Sequence, residues 1–290
     1  MSTIYLSGGI GNQLFQVGFG HYLNLKLGEQ IVLKKPKLRS GLPHTHLSFF
    51  EKNFYCMHCV YKMHQGNVYI NELINPWNPR VKSLSRKSIL DCRAKPFISP
   101  FEIKNPEKYD KFLGYFQNIA FIKPTESILL DEIHEVLSKR TDIESKTGLL
   151  ENTEVIHVRQ GDTNSINNKK RVGILSSTFY GRLVGKRTSF QRRIVVTDDI
   201  EGAREVLREI KVDHIYGPDE LDPWETLSLM AKSKRLITAN STLSWWGGFL
   251  ALANGAEVII PKPFFINPEL ETDGALKYPG FFEFKSEFVE

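Results

Sequence analysis

A chain of 290 residues with 41% hydrophobic and 24% charged residues can bury two compact cores, and it is too mixed in composition for a disordered or fibrous protein. Its formal net charge of +5 makes a mildly basic surface, short of the concentrated Lys and Arg patches of a dedicated nucleic-acid binder. Three cysteines, Cys56, Cys59 and Cys92, are an odd count that argues against a secreted disulfide framework.

Met1, Ser2 and Thr3 run straight into a short strand of Ile4, Tyr5 and Leu6, with no basic segment and cleavage site of a secretory leader. The glycine turn Gly8-Gly9-Ile10-Gly11 leads into a helix over 12–27, and Ile31, Val32 and Leu33 form the next strand. From 37 to 104 the pattern blurs into aromatic, Pro- and His-containing segments without a clear period. Within it, Cys56-Met57-His58-Cys59 has C-x-x-C spacing and could seed a zinc site with Cys92 or His64. A closed structural site needs four ligands, however, and reduced thiols in a packed loop are the preferred reading. A helix over 124–139, carrying Ile128, Leu129, Ile133, Val136 and Leu137, closes the first half. The polar run 140–152 is the linker candidate, which predicts domains at 1–145 and 146–290.

The second half opens with the β-branched runs Val155-Ile156-His157-Val158 and Ile194-Val195-Val196-Thr197. Ala203, Val206, Leu207 and Ile210 recur at helical spacing, and His214-Ile215-Tyr216 is a strand that ends at the turn Gly217-Pro218. Asp222-Pro223-Trp224-Glu225 combines an N-cap, a first-turn proline and an acid three residues after the cap, and predicts a helix to about Ser233. Leu236-Ile237-Thr238 and Val258-Ile259-Ile260 are two more strands, separated by an apolar helix from about Ser244. That helix is too short and too glycine-interrupted to span a bilayer. A βαβαβ series of this kind predicts a parallel doubly wound sheet, with ligands at the carboxyl ends of its strands. A cytoplasmic protein is expected, with a basic surface suited to transient contact with the inner face of an anionic membrane.

Four constellations can carry chemistry. His157, Arg159 and Asp162 follow one strand, and the planar fork of an arginine suits a diphosphate. A structural Arg159–Asp162 pair stays open. Thr197-Asp198-Asp199 ends the next strand, where the acids can take ribose or base hydrogens or cap the following helix. Asn240, Ser241, Thr242 and Ser244 bring an amide and hydroxyls to a helix start, a phosphate-binding nest or a capped core helix. The turn at Gly8 departs from a dinucleotide fingerprint, since Leu14 takes the final Gly/Ala place and no acid follows near 31–35. It also lacks the Lys-Ser/Thr end of a P-loop, which counts against a sulfotransferase. Asn12 and Gln13 remain as polar contacts there.

Taken in order, the segments from Gly8 to Gln16, Gly114-Tyr115-Phe116-Gln117, His157 to Asp162, Thr197-Asp198-Asp199 and Asn240 to Gly247 resemble the α-1,2-fucosyltransferase family. The resemblance implies a GT-B-like α/β fold of two facing Rossmann-like domains with parallel sheets. It implies inverting transfer of L-fucose from GDP-fucose to the 2-hydroxyl of a terminal β-galactoside, with no required metal or other cofactor. By the same resemblance, Arg159 holds the diphosphate with His157 nearby, and Asp198, Asp199 and Glu225 are ribose or guanine candidates. Asn240, Ser241, Thr242 and Ser244 line the phosphate side, Asn12 and Gln13 approach from the first domain, and Tyr115 and Gln117 lie toward the acceptor. Asp162 is the candidate general base, although donor activation also allows a dissociative route with little base assistance. The family usually has two arginines in a row, and here the second is Gln160. That departure keeps open another GDP-linked deoxy sugar such as colitose, and a non-catalytic glycan- or nucleotide-binding protein.

Overall fold

The computed structural model describes residues 2–34, 89–139, 142–149, 151–161, 166–184, 190–272 and 274–289. The chain forms two compact units, 1–136 with 274–276, and 137–273 with 277–290. The boundary falls earlier than the polar run predicts, because that run holds a capped turn of helix. Asp142 accepts the amides of Glu144 and Ser145 at the start of Ile143–Thr147, and Ile143 is buried. One apolar residue in a polar segment leaves no period to detect.

In the first unit, strands β1 (Ser2–Tyr5), β2 (Ile31–Lys34), β3 (Ile89–Asp91) and β4 (Lys111–Leu113) form a parallel sheet of order β2-β1-β4-β3. Helix α1 (Ile10–Leu27) connects β1 to β2 and buries Leu14, Phe15, Val17, Phe19 and Leu23 completely. Each such side chain contributes roughly 1.5–3 kcal/mol of burial free energy. Phe19 stacks on Phe116 with centroids 3.8 Å apart and meets Phe112 and Phe121 edge-on. Helices α2 (Ile119–Ile122) and α3 (Glu126–Ser138) follow, with Pro124 in a 3-10 turn between them, so the single helix expected over 124–139 starts later. His21 of α1 meets Glu132 of α3 at 2.8 Å in the interior. Cys56, Cys59 and His64 lie outside the described residues. Cys92 is buried, and desolvation followed by nearby Asp91 pushes its thiol up to about 12.

In the second unit, helix α4 (Ile143–Thr147) precedes six parallel strands. They are β5 (Thr153–Val158), β6 (Arg192–Thr197), β7 (His214–Tyr216), β8 (Arg235–Ile237), β9 (Glu257–Lys262) and β10 (Phe281–Lys285), in the order β10-β9-β8-β5-β6-β7. The chain therefore builds outward from β5 to β7, returns to the other side of β5, and builds outward again from β8 to β10. Strand order reverses between β5 and β8, which is the topological switch point of a doubly wound sheet. Helices α5 (Ile166–Arg171), α6 (Ser177–Val184), α7 (Ile200–Val206), α8 (Pro223–Ala231) and α9 (Thr242–Ala253) connect the strands. Ile156, Val158, Val195, Ile237 and Ile259 pack with Phe179, Leu183, Ala203 and Leu207 on one face. Strand alternation sends Val155, His157, Ile194, Val196 and Leu236 to the other. Strand β10 was not expected: its burial is uneven and Phe282 is exposed, as befits an edge strand.

Candidate active site

Two loops and one helix start meet the switch point from opposite sides. Strand β5 ends at Val158 and delivers Arg159, whose side chain keeps 28% of its surface exposed. On the other side, β8 gives way to Thr238, Ala239 and Asn240 before α9 begins at Thr242. The N-cap of α9, Ser241, makes no side-chain cap hydrogen bond, so its hydroxyl is not engaged in closing the helix. Guanidinium and first-turn amides thus border the crevice where doubly wound sheets bind ligands, and both favour an anion.

The acids after β6 turn toward the protein. Asp198 Oδ1 accepts the amides of Gln160 at 2.8 Å and Gly161 at 3.1 Å, and its Oδ2 stands 3.6 Å from Arg159 Nη1. Asp199 caps α7 by accepting the Gly202 amide at 3.1 Å, while its own backbone exchanges hydrogen bonds with the Thr197 hydroxyl. The helix-capping alternative therefore holds for Asp199. Gln160, where a second arginine was expected, is only 7% exposed and lies against the first turn of α7.

His157 is 3% exposed, and its Nδ1 has no hydrogen-bond partner among the described residues. Burial pushes the imidazole down to about 4; Asp198 opposes that shift and Arg159 reinforces it, so the ring is neutral at physiological pH. Thr238, the first residue after β8 and one position beyond the paired Ile156 and Ile237, is also fully buried, with an unpartnered hydroxyl among the described residues. Tyr180 of α6 donates its hydroxyl to the His157 carbonyl at 3.1 Å, and burial raises its pKa. Neither Thr238 nor Tyr180 carried a sequence signal, since one sits in a strand run and the other at ordinary core spacing.

Several expected ligand contacts are engaged in holding the frame. Asn240 donates to the carbonyls of Val172 and Gly173 at 3.0 Å. Ser244 is completely buried, and its hydroxyl bridges the amide and carbonyl of Ala239 at 3.0 Å. Ser241 is buried and Thr242 half-buried at the start of α9. Glu225 closes a capping box with Asp222 and meets Lys146 at 2.7 Å. Desolvation alone would raise its pKa, but Lys146 and the Asp222 amide outweigh it and hold the carboxyl below its usual value. Asp162 lies outside the described residues.

The first unit carries a separate polar cluster at the carboxyl end of its own sheet. Gln117 donates to Asn12 at 2.7 Å, joining a residue expected on the donor side to one expected on the acceptor side. Gln13 donates to the Gly8 carbonyl at 2.7 Å and is fully buried, with Oε1 unpartnered among the described residues. Gln16, which was not singled out, bonds Ser7 and the Gly114 carbonyl. Tyr115 is half-buried, and the next residue, Phe116, adopts a left-handed φ of 52° that is costly for an aromatic residue. Complete burial and stacking on Phe19 hold it there.

A cleft of about 870 Å³ opens at the other end of the second sheet, lined by Phe190, Arg193, Val206 and Lys211. Its lining includes none of the candidate site residues, so shape alone does not locate the site. Among the described residues no group of three or more His, Cys, Asp or Glu could hold a metal ion, and no helix is long and apolar enough to cross a membrane.

Known proteins share the fold and the family. The heptosyltransferase WaaC of E. coli, solved with ADP, shares the fold with a TM-score of 0.50 at 10% identity, over 98% of this chain and 92% of that one. That likeness speaks for the GT-B-like α/β architecture alone. An α-1,2-colitosyltransferase of Escherichia coli is 26% identical over 92% of this chain and 93% of its own length. The O-antigen biosynthesis glycosyltransferase WbnK of Escherichia coli is 25% identical over 90% and 93%. The profile of glycosyl transferase family 11 matches residues 99–275, a span that holds the Arg159 loop, both acids after β6 and the start of α9, and the chain belongs to that family of glycosyltransferases.

Proposed function

We propose that this glycosyltransferase moves a GDP-linked deoxy sugar, with inversion, to the 2-hydroxyl of a terminal β-galactoside during O-antigen synthesis, on the cytoplasmic side of the membrane. The observation that carries the reading is the placement of Arg159 and the α9 amides on either side of the switch point. Their combined positive potential suits a diphosphate leaving group, and a charge fixed in advance stabilises the transition state without reorganisation. Asn12, Gln13, Tyr115 and Gln117 are assigned to the sugar and acceptor, Ser241 and Thr242 to the phosphates, and Asp162 to the acceptor proton. Neutral His157 is a further polar group beside the reacting centre. Donor activation by Arg159 and backbone amides needs no divalent cation. Turnover is therefore expected to survive EDTA, and loss of activity that magnesium or manganese restores would refute that part.

L-Fucose is the donor sugar suggested by the ordered motifs, and the related α-1,2-colitosyltransferase supports colitose as a second reading. The two sugars differ by the 3-hydroxyl, which makes discrimination asymmetric. A pocket that hydrogen-bonds that hydroxyl rejects the deoxy analogue by about 10⁴- to 10⁵-fold, whereas a pocket shaped for the deoxy sugar excludes the extra hydroxyl by only about 10²-fold. Mass spectrometry of products, with kcat/KM for GDP-fucose and GDP-colitose on one β-galactoside, separates the two. Absence of turnover with any GDP-sugar, in a protein that still binds GDP, would favour a non-catalytic binding protein.

A further inference from the structure

The loop that carries Arg159 is held from two directions, by Asp198 and through Gln160. Asp198 Oδ1 takes two consecutive loop amides, of Gln160 and Gly161, while its second oxygen faces the Arg159 guanidinium. A Cβ at Gly161 would lie 2.9 Å from Asp198 Oδ2, so the glycine lets the backbone close on the carboxylate. In the other direction Gln160 reaches into the first turn of α7. A Cβ at Gly202 would lie 2.1 Å from Gln160 Oε1, so the amide occupies space that only a glycine leaves open.

We infer that Asp198 and Gln160 are positioning residues that set Arg159 for the diphosphate, an inference that rests on the phosphate role proposed for Arg159. Asp198 acts on the nucleotide through the loop. Gln160 substitutes for the usual second arginine by lodging in a niche, without its charge. Residues in one such network give effects that do not multiply, with couplings on the order of tenfold.

The experiment is a double-mutant cycle read as GDP affinity by calorimetry, with unfolding midpoints as the control. Arg159→Ala is expected to weaken GDP binding strongly, and failure to do so overturns the phosphate role itself. Given that loss, Asp198→Ala should weaken GDP binding on the order of tenfold in the wild-type background and very little in the Arg159→Ala background. Asp198→Asn, which keeps an oxygen for the two amides, should retain most of the affinity. Multiplicative losses in the double variant would put Asp198 directly on the nucleotide and overturn the inference. For the second grip, Gly202→Ala, whose Cβ would also lie 2.8 Å from Asp199 Oδ2, should weaken GDP binding more when Gln160 is present than beside Gln160→Ala. Equal effects of Gly202→Ala in both backgrounds would show that Gln160 does not act through that niche.

Discussion

Strand β5 carries a charged cluster at each end, and the two are built to opposite specifications. At its amino-terminal end Glu154 is completely buried between Arg193 and Arg235, each paired to it, and Arg235 also faces the Leu183 carbonyl. At its carboxyl end Arg159 stays partly exposed, its acidic partner Asp198 is 3.6 Å away, beyond hydrogen-bond distance, and the Nδ1 of buried His157 lacks a partner among the described residues. In the first cluster the Glu154 carboxylate is engaged by both arginines, although Arg235 Nε has no hydrogen-bond partner among the described residues and Arg193 lines the neighbouring cleft. The second keeps its arginine partly exposed at the carboxyl edge of the sheet, a placement suited to an anion.

The largest expected effect tests the end where Glu154 is buried. Glu154→Gln removes the counter-charge of two inward-facing arginines, and breaking a buried ion pair costs about 3–5 kcal/mol, a large share of a typical stability of about 5–15 kcal/mol. Denaturant unfolding should show that loss, and an unchanged midpoint would mean that solvent in the cleft beside Arg193 compensates the two charges. Arg159→Ala should do the reverse. Turnover is expected to fall about 10²- to 10³-fold, the typical loss of one charge-stabilising donor, while the unfolding midpoint stays near that of the wild type. A variant that unfolds early yet turns over normally would erase the contrast between the two ends.

His157 sharpens the contrast through pH. Its imidazole titrates at about 4 in the fold, against an ordinary 6.5 in the unfolded chain, because burial disfavours the charged form. Between those values the unfolded state binds more protons, so stability should fall as pH drops through that window and be fully recovered above it. His157→Gln should flatten the curve there. A curve of the same slope in both proteins would assign the pH dependence to other groups.

How much of this was legible in the sequence depended on which link was being read. Strands β5, β6, β7, β8 and β9 and helix α8 were accessible because β-branched runs and a capping box encode local conformation. Strands β3 and β10 and helix α4 were not, being short, unevenly buried, or held by a single apolar residue such as Ile143. At the candidate site, the residue types singled out in the sequence lie at the carboxyl ends of β5, β6 and β8. What they could not convey was which lone pairs the protein itself uses. Asp198, Asp199, Asn240 and Ser244 all stand where a nucleotide contact was expected, yet each holds backbone groups at 3.1 Å or less. Gln160 shows the complementary failure, since its change from arginine looked like a lost charge until the space at Gly202 explained its position.

Glu225 gives the smallest expected effect and the finest test of that distinction. Its carboxylate accepts the Asp222 amide at 2.9 Å and meets Lys146 at 2.7 Å, a pair that ties α4 to the start of α8. Glu225→Gln retains an acceptor for the amide and loses only the ion pair, which at partly exposed positions contributes about 0–1 kcal/mol. That contribution should be present at neutral pH and fade as acidification protonates a carboxyl whose folded pKa lies below its usual value. GDP affinity should stay within about twofold of the wild type, since an interaction below 1 kcal/mol changes an equilibrium by only a few-fold even when fully transmitted. If GDP binding instead fell by an order of magnitude with the unfolding midpoint unchanged, the Glu225 carboxylate would be reading the nucleotide. The boundary between structural and ligand-facing charge would then have to move from β5 out to the start of α8.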